Sequence, residues 1–264
     1  MIVEQVWTGN AYRNFNYLVA CPETGEALAI DPLAFQQCLD VAADKGYRIT
    51  QVLNTHEHGD HTGGNKGIVD ATGATLIAHR NAGRRIANVD RGVGAGDVIR
   101  VGKTVDLECL DTPGHTMSHI CLLSHTDTPA LFSGDTLFNA GAGNCHNGGH
   151  PEDLYTTFEE QLATLSGATR IYPGHDYLLN NLGFTLDREP GNARARAMAE
   201  RLRDQDPADA YVTTLDEEKE INTFFRLDSP EVIEKLAAEF PEEIGDSPDP
   251  RSVFLKLREL RNDW

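Results

Sequence analysis

The segment Thr55-His56-Glu57-His58-Gly59-Asp60-His61 places three imidazoles and the Asp60 carboxylate within six residues, shortly after Gln51-Val52-Leu53. A hydrophobic core gains nothing from so many ligand-type side chains, whereas a metal centre requires them. In an extended segment, residues two apart point the same way, so His56 and His58 can seize one ion together. Asp60 and His61, on the turn that follows, are free to face a second ion. Gly59 is expected to permit a tight turn, and Gly63-Gly64 to let the next helix begin close to the site. Two further histidines, His115 and His175, follow Pro-Gly pairs in Thr112-Pro113-Gly114-His115 and Tyr172-Pro173-Gly174-His175. Asp135 follows the apolar run ending Phe132-Ser133-Gly134, and its two oxygens can bridge both ions. Five histidines and two aspartates suffice for two sites that each keep a position for water. His79, His119, His125 and His150 stand outside this pattern and read as structural histidines.

These side chains must be held by a framework, and the first two thirds of the chain alternate β-rich runs with helical patterns. Strands are expected at Ile2 to Trp7, Tyr17 to Ala20, Ala27 to Ile30, Gln51 to Asn54, Thr75 to Ala78, Val98 to Val101, Val105 to Leu110, His119 to Ser124, Ala130 to Phe132 and Arg170 to Tyr172. Helices are expected at Ala34 to Lys45, closed by Gly46, at Gly64 to Ala71 and at Pro151 to Leu165. This is α/β patterning with a mixed or largely antiparallel sheet. Beyond Tyr172 helical signals take over. Thr214-Leu215-Asp216-Glu217 is a capping box, and Ser229-Pro230 opens a helix running to Phe240. The pattern places a domain boundary near Leu178.

Composition narrows the function. The chain of 264 residues is 40% hydrophobic and 24% charged, with a net charge of −18, which disfavours nucleic acid because phosphate binding needs a basic face. An anionic substrate would need a local basic clamp. The start Met1-Ile2-Val3-Glu4-Gln5-Val6-Trp7 lacks the basic and apolar regions of a signal peptide, and no apolar run suggests a membrane span. Five scattered cysteines (Cys21, Cys38, Cys109, Cys121, Cys145) read as reduced thiols, which points to the cytoplasm.

With these residues in view, the chain resembles the metallo-β-lactamase superfamily, marked by His-x-His-x-Asp-His on a strand-to-helix loop. Within it, the chain is similar to the glyoxalase II (hydroxyacylglutathione hydrolase) family. The likeness extends through Pro113-Gly114-His115-Thr116, Ser133-Gly134-Asp135-Thr136-Leu137-Phe138 and Pro173-Gly174-His175-Asp176-Tyr177. It continues in Asn180-Asn181-Leu182, Pro190-Gly191-Asn192, Thr213 to Lys219, Asn222 to Arg226 and a basic C-terminal helix. The resemblance implies an αββα sandwich over residues 1–178, the catalytic domain, followed by a small all-helical substrate-binding domain over 179–264. It assigns His56, His58 and His115 to one ion and Asp60, His61 and His175 to the other, with Asp135 and a hydroxide between them. Zinc is the first expectation, with iron or manganese as alternatives.

On the substrate side, the resemblance assigns Tyr177 to a substrate-contacting position and Arg258 and Arg261 to a basic pair that meets a carboxylate. The loop Gly141-Ala142-Gly143-Asn144-Cys145-His146 departs from the family, with Asn144 standing where lysine is expected and His146 where tyrosine is. The implied reaction is metal-dependent hydrolysis of a glutathione thioester, S-lactoylglutathione to lactate and glutathione, by a monomer acting on a small molecule. The alternatives are hydrolysis of another thioester or a lactone, and a persulfide dioxygenase using one iron.

Overall fold

The computed structural model describes residues 1–83, 85–245 and 248–264. Its first sheet runs in chain order: β1 (Ile2–Trp7), β2 (Phe15–Ala20), β3 (Glu26–Ile30), β4 (Arg48–Leu53), β5 (Thr75–His79) and β6 (Arg91–Val93). The β1–β2–β3 pairs are antiparallel and the β3–β4–β5–β6 pairs parallel. Parallel neighbours need crossovers. Helix α1 (Phe35–Lys45) joins β3 to β4, and α2 (Gly59–Thr62) with α3 (Asn65–Thr72) joins β4 to β5. The ligand segment is therefore the crossover loop at the C-terminal end of a parallel strand, where open α/β sheets present their sites.

The second sheet holds β7 (Val98–Val101), β8 (Val105–Asp111), β9 (Ile120–Ser124) and β10 (Ala130–Gly134). After the small hairpin of β11 (Leu137–Phe138) and β12 (Gly141–Ala142) it takes in β13 (Arg170–Pro173). Its order is β13-β10-β9-β8-β7, antiparallel except for the parallel pair of β10 with β13.

Residue alternation explains how the layers stack. In β2, Phe15, Tyr17 and Val19 enter the core between the sheets with Leu107, Leu122, Phe132 and Tyr172 of the second sheet. Leu18 and Ala20, on the opposite face, pack with Cys38 and Ala42 of α1 and Ile68 of α3. Both faces are covered, so Tyr17 to Ala20 is a continuous apolar run. The outer face of the second sheet (Leu123, Leu131, Ile171) shares one core with Leu154, Phe158 and Leu162 and with Leu215, Phe224, Val232, Phe254 and Leu257 of the C-terminal helices. This is the αββα sandwich. The C-terminal part comprises α5 (Leu178–Arg188), α6 (Ala193–Leu202), α7 (Leu215–Ile221), α8 (Pro230–Glu239), α9 (Pro241–Ile244) and α10 (Pro250–Leu260). The described residues from 178 onward form no strand.

Several expectations change in detail. The strand β2 begins at Phe15 rather than Tyr17. Strands β6, β11 and β12, each two or three residues long, carried no signal in the sequence. The helix expected at Pro151 to Leu165 is α4 (Pro151–Thr156) running into a π-turn at Thr157–Gln161 and a 3-10 turn at Leu162–Thr164. The widened turn carries Thr157 and Gln161, whose side chains donate to Pro113 O at 2.7 Å and Asp111 O at 2.8 Å. The capping box of Thr214 and Glu217 forms as expected. Ser229 does not cap α8; its hydroxyl donates to Glu189 instead, at 2.7 Å.

Candidate metal centre and substrate pocket

Four loops at one edge of the sandwich supply the seven side chains. His56 and His58 lie on the extended stretch after β4, and Asp60 and His61 on the single turn α2 rather than on an open turn. His115 comes from the β8–β9 loop, Asp135 from the end of β10 and His175 from the end of β13. Gly59 plays no special backbone part, having no positive φ and nothing near a notional Cβ. Gly64 does matter, since a Cβ there would lie 1.8 Å from Pro32 O.

The inward atoms converge in two clusters. His56 Nε2 lies 2.9 Å and His115 Nε2 3.0 Å from His58 Nδ1. In the second cluster His61 Nε2 lies 3.3 Å from His175 Nε2, and Asp60 Oδ2 lies 3.7 Å and 3.5 Å from these two nitrogens. Asp135 stands between the clusters. Its Oδ1 is 3.3 Å from His61 Nε2, and its Oδ2 is 3.2 Å from His175 Nε2 and 3.6 Å from His115 Nε2.

The outward nitrogens fix the tautomers. His115 Nδ1 donates to Asn144 O at 2.6 Å, His175 Nδ1 to Tyr12 O at 2.7 Å and His58 Nε2 to Asn147 O at 3.2 Å. His61 Nδ1 donates to Asp31 Oδ2 at 2.9 Å. Thr55 gives its own hydroxyl proton to Asp31, so its oxygen is left to accept from His56 Nδ1 at 3.0 Å. With each outer nitrogen donating, the neutral form of each ring turns a lone pair inward. His119 differs: Nε2 accepts from Asp135 N at 3.1 Å and Nδ1 faces the Thr112 and Thr136 hydroxyls. It orients Asp135 through that backbone amide.

Electrostatics favour a resident positive charge. Burial alone would raise the Asp135 pKa, but facing His175 and His61 outweighs it and holds the carboxyl well below the usual range. Burial pushes His61 down, yet Asp135 and Asp31 outweigh it and raise that imidazole well above its ordinary value. Burial, with His61 nearby, holds His56 low, and burial pushes His115 down to about 4. The Asp135 Oδ1 atom is buried without a hydrogen-bond partner among the described residues. A buried oxygen left so is costly unless something cationic meets it. The two groups His56/His58/His115 and Asp60/His61/His175 each bring their ligand atoms within 4.8 Å. The residues present fit two divalent cations.

Beside the cluster lies a pocket of about 270 Å³ lined by Phe138, Ala142, Asn144, His146, Tyr177, Asn180, Arg258, Arg261 and Asn262. All five residues expected on the substrate side are in it. Tyr177 stacks on His175 with centroids 4.9 Å apart, and its hydroxyl donates to Tyr12 O at 3.0 Å. Arg258 is buried, with Nη1 donating to Ala142 O at 2.7 Å and Nη2 to Asn262 Oδ1 at 2.9 Å. Arg261 donates to Asn181 Oδ1. Neither arginine faces a carboxylate within ion-pair distance among the described residues, and the lining contains no acid. A larger groove of about 380 Å³ beside α3 holds no such set of groups.

Sequence reading missed the supports. Asp31 also accepts from Thr55 N at 2.8 Å, and Asn14 Nδ2 donates to Asp60 Oδ2 at 3.2 Å. An aspartate before proline at a strand end looks like an ordinary turn residue, and nothing local links Asn14 to Asp60.

A family model described as the metallo-beta-lactamase superfamily matches residues 15–175, and one described as hydroxyacylglutathione hydrolase C-terminus matches residues 176–264. A hydroxyacylglutathione hydrolase of a Polaromonas species is 69% identical over the full length of both chains. That of Nitrosococcus oceani is 63% identical, again over both full lengths. Among solved structures, ETHE1 from Myxococcus xanthus matches with a TM-score of 0.72 at 26% identity, covering 99% of this chain and 92% of that one. The chain belongs to the hydroxyacylglutathione hydrolase family of the metallo-beta-lactamase superfamily.

Proposed function

We propose that the chain hydrolyses a glutathione thioester, S-lactoylglutathione, to lactate and glutathione. The observation that carries this is the seam between ligand cluster and cationic pocket. Asn144 presents its carbonyl to His115 and also lines the pocket, so a thioester held in the pocket by its thiol half places its acyl carbon at the cluster.

His56, His58 and His115 would hold one cation and Asp60, His61 and His175 the other, with Asp135 shared. Two such cations, zinc first with iron or manganese as alternatives, would lower the pKa of a water from about 16 toward about 7 and polarise the thioester carbonyl. Asp31, Thr55, Tyr12, Asn144 and Asn147 hold the imidazoles in their ligand tautomers. Asp60, steadied by Asn14, orients the attacking water. Tyr177 forms the wall between the second cluster and the pocket. Arg261, with Arg258 behind it, supplies positive charge for the substrate carboxylate, which an otherwise acidic chain must concentrate locally. The departing thiolate needs little protonation, because a thiol pKa is only about 8.5.

We read residues 1–178 as the catalytic domain and 179–264 as the helical substrate-binding domain of a monomer with no macromolecular partner. The five cysteines are unpaired thiols, four of them buried, which supports a reducing cytoplasm. No helix among the described residues is long and apolar enough to cross a membrane.

The test is release of free thiol from S-lactoylglutathione by zinc-loaded protein beside an Asp135→Ala variant. We expect wild-type turnover and a loss of at least about 100-fold in the variant. Equal rates would overturn the mechanism. The amide and imidazole of Asn144 and His146 favour a second reading in which another thioester or a lactone is preferred, and a substrate panel on the same sample separates the two. A one-iron persulfide dioxygenase would leave Asp60, His61 and His175 idle, although Asn14, Asp31 and Tyr12 hold all three in place.

A further inference from the structure

Glu57 sits between the two histidines that open the ligand segment. Alternation along the extended chain turns its side chain away from the direction of His56 and His58. The carboxylate is only 4% exposed. Its Oε2 accepts from Thr116 Oγ1 at 3.0 Å and from Ser118 Oγ at 2.8 Å, and Arg85 pairs with Oε1. Burying a carboxylate strips it of hydration, so it persists in such a place only where charged and hydrogen-bonded partners replace water. These partners are not scattered. Thr116 follows His115 directly, and Ser118 precedes His119, which orients Asp135. Glu57 therefore ties the loop carrying His56 and His58 to the loop carrying His115. Asp60, His61 and His175 are braced from other elements, through Asn14, Asp31 and Tyr12, and of these only Asp31 also reaches the first group, through Thr55 to His56.

We propose that Glu57 is the positioning residue of the His56/His58/His115 site, locking two ligand loops in register and setting the metal affinity of that site and not of its neighbour. This rests on the two-cation reading above. Removing the carboxylate leaves the Thr116 and Ser118 hydroxyls and Arg85 without their common acceptor, and the His115 loop is freed to shift relative to His58.

The experiment is zinc titration of the full metal-stripped chain against a competing chromophoric chelator, with elemental analysis of each sample. We expect wild type to hold two ions per chain. In Glu57→Ala one of the two is weakened about 10–100-fold, the other is unchanged, and elemental analysis falls toward one ion. Glu57→Gln, which keeps an acceptor but loses the charge facing Arg85, falls between them and serves as the deciding variant where alanine does not fold. In a His115→Ala background, Glu57→Ala should weaken zinc binding no further, because the loop it positions no longer bears a ligand. Parallel weakening of both sites, or an undiminished Glu57 effect without His115, means a general structural role and overturns the proposal, as does unchanged affinity. A wild-type chain that binds no zinc would instead overturn the metal site itself, and this role with it.

Discussion

A methyl group at position 174 would sit 2.3 Å from Asp135 Oδ1 and 2.8 Å from His61 Cε1. The backbone just past β13 thus passes so close to the Asp135 carboxylate that only glycine fits, although its φ is not in the left-handed region. Gly174→Ala is expected to displace Asp135 or His61, costing about 1–3 kcal/mol in a denaturant midpoint and lowering the zinc content of the purified protein. Gly59→Ala, inside the ligand segment itself, has nothing within 4 Å and should leave zinc content unchanged. A damaging Gly59 variant beside a harmless Gly174 variant would contradict this geometry. The contrast shows what a sequence exposes at this scale. The seven candidate ligands were legible because imidazole density and strand-end placement are local signals. Asp31, Asn14 and the crowding at Gly174 were not, because each acts on a residue far along the chain.

Elements transmit the same constraint over longer distances. Helix α7 carries Glu218, a fully buried carboxyl that accepts from Thr213 Oγ1 at 2.7 Å, Asn222 Nδ2 at 2.9 Å and Ala140 N at 2.9 Å. It pins the turn between β11 and β12, just ahead of the Asn144 loop. Burial pushes the Glu218 pKa up to about 7, from 4.5, despite these three donors. A raised acid pKa means the unfolded chain ionises first as pH rises. The stability Glu218 contributes is full below about pH 4.5 and lost by about pH 7, a difference of about 3 kcal/mol. Glu218→Gln cannot ionise, so its stability relative to wild type should rise by about that amount from pH 5 to pH 8. Urea denaturation of both proteins at several pH values measures the difference; a pH-independent gap would mean that Glu218 stays charged throughout. The long strands and capped helices were legible from apolar runs and caps. The hairpin that Glu218 holds was not, because two-residue strands carry no periodicity and their pairing depends on a side chain some 78 positions away.

For the whole molecule, the division of labour between core and site decides what the cations contribute. The inter-sheet core, built from residues such as Tyr17, Leu107 and Phe132, involves none of the seven ligands, and the C-terminal helices share their core with the outer face of the second sheet. That shared core was hidden in the sequence, where strands followed by helices read equally well as two independent units. The hydrophobic layers should therefore fold without metal, leaving a site in which the buried Asp135 Oδ1 atom lacks a hydrogen-bond partner among the described residues. Each cation that binds only the folded chain adds RT ln(1 + [L]/Kd), about 4 kcal/mol at a thousandfold excess over Kd, so two add about 8 kcal/mol. In a chain of this size each kcal/mol shifts the melting temperature by about 2–4 °C. Chelation of both should then lower the melting temperature by about 16–32 °C while far-ultraviolet circular dichroism keeps its native shape, and restoring zinc should recover the loss. Collapse of the secondary structure on chelation would show that the cations hold the sandwich together, and an unmoved melting temperature would show that the folded chain does not bind them.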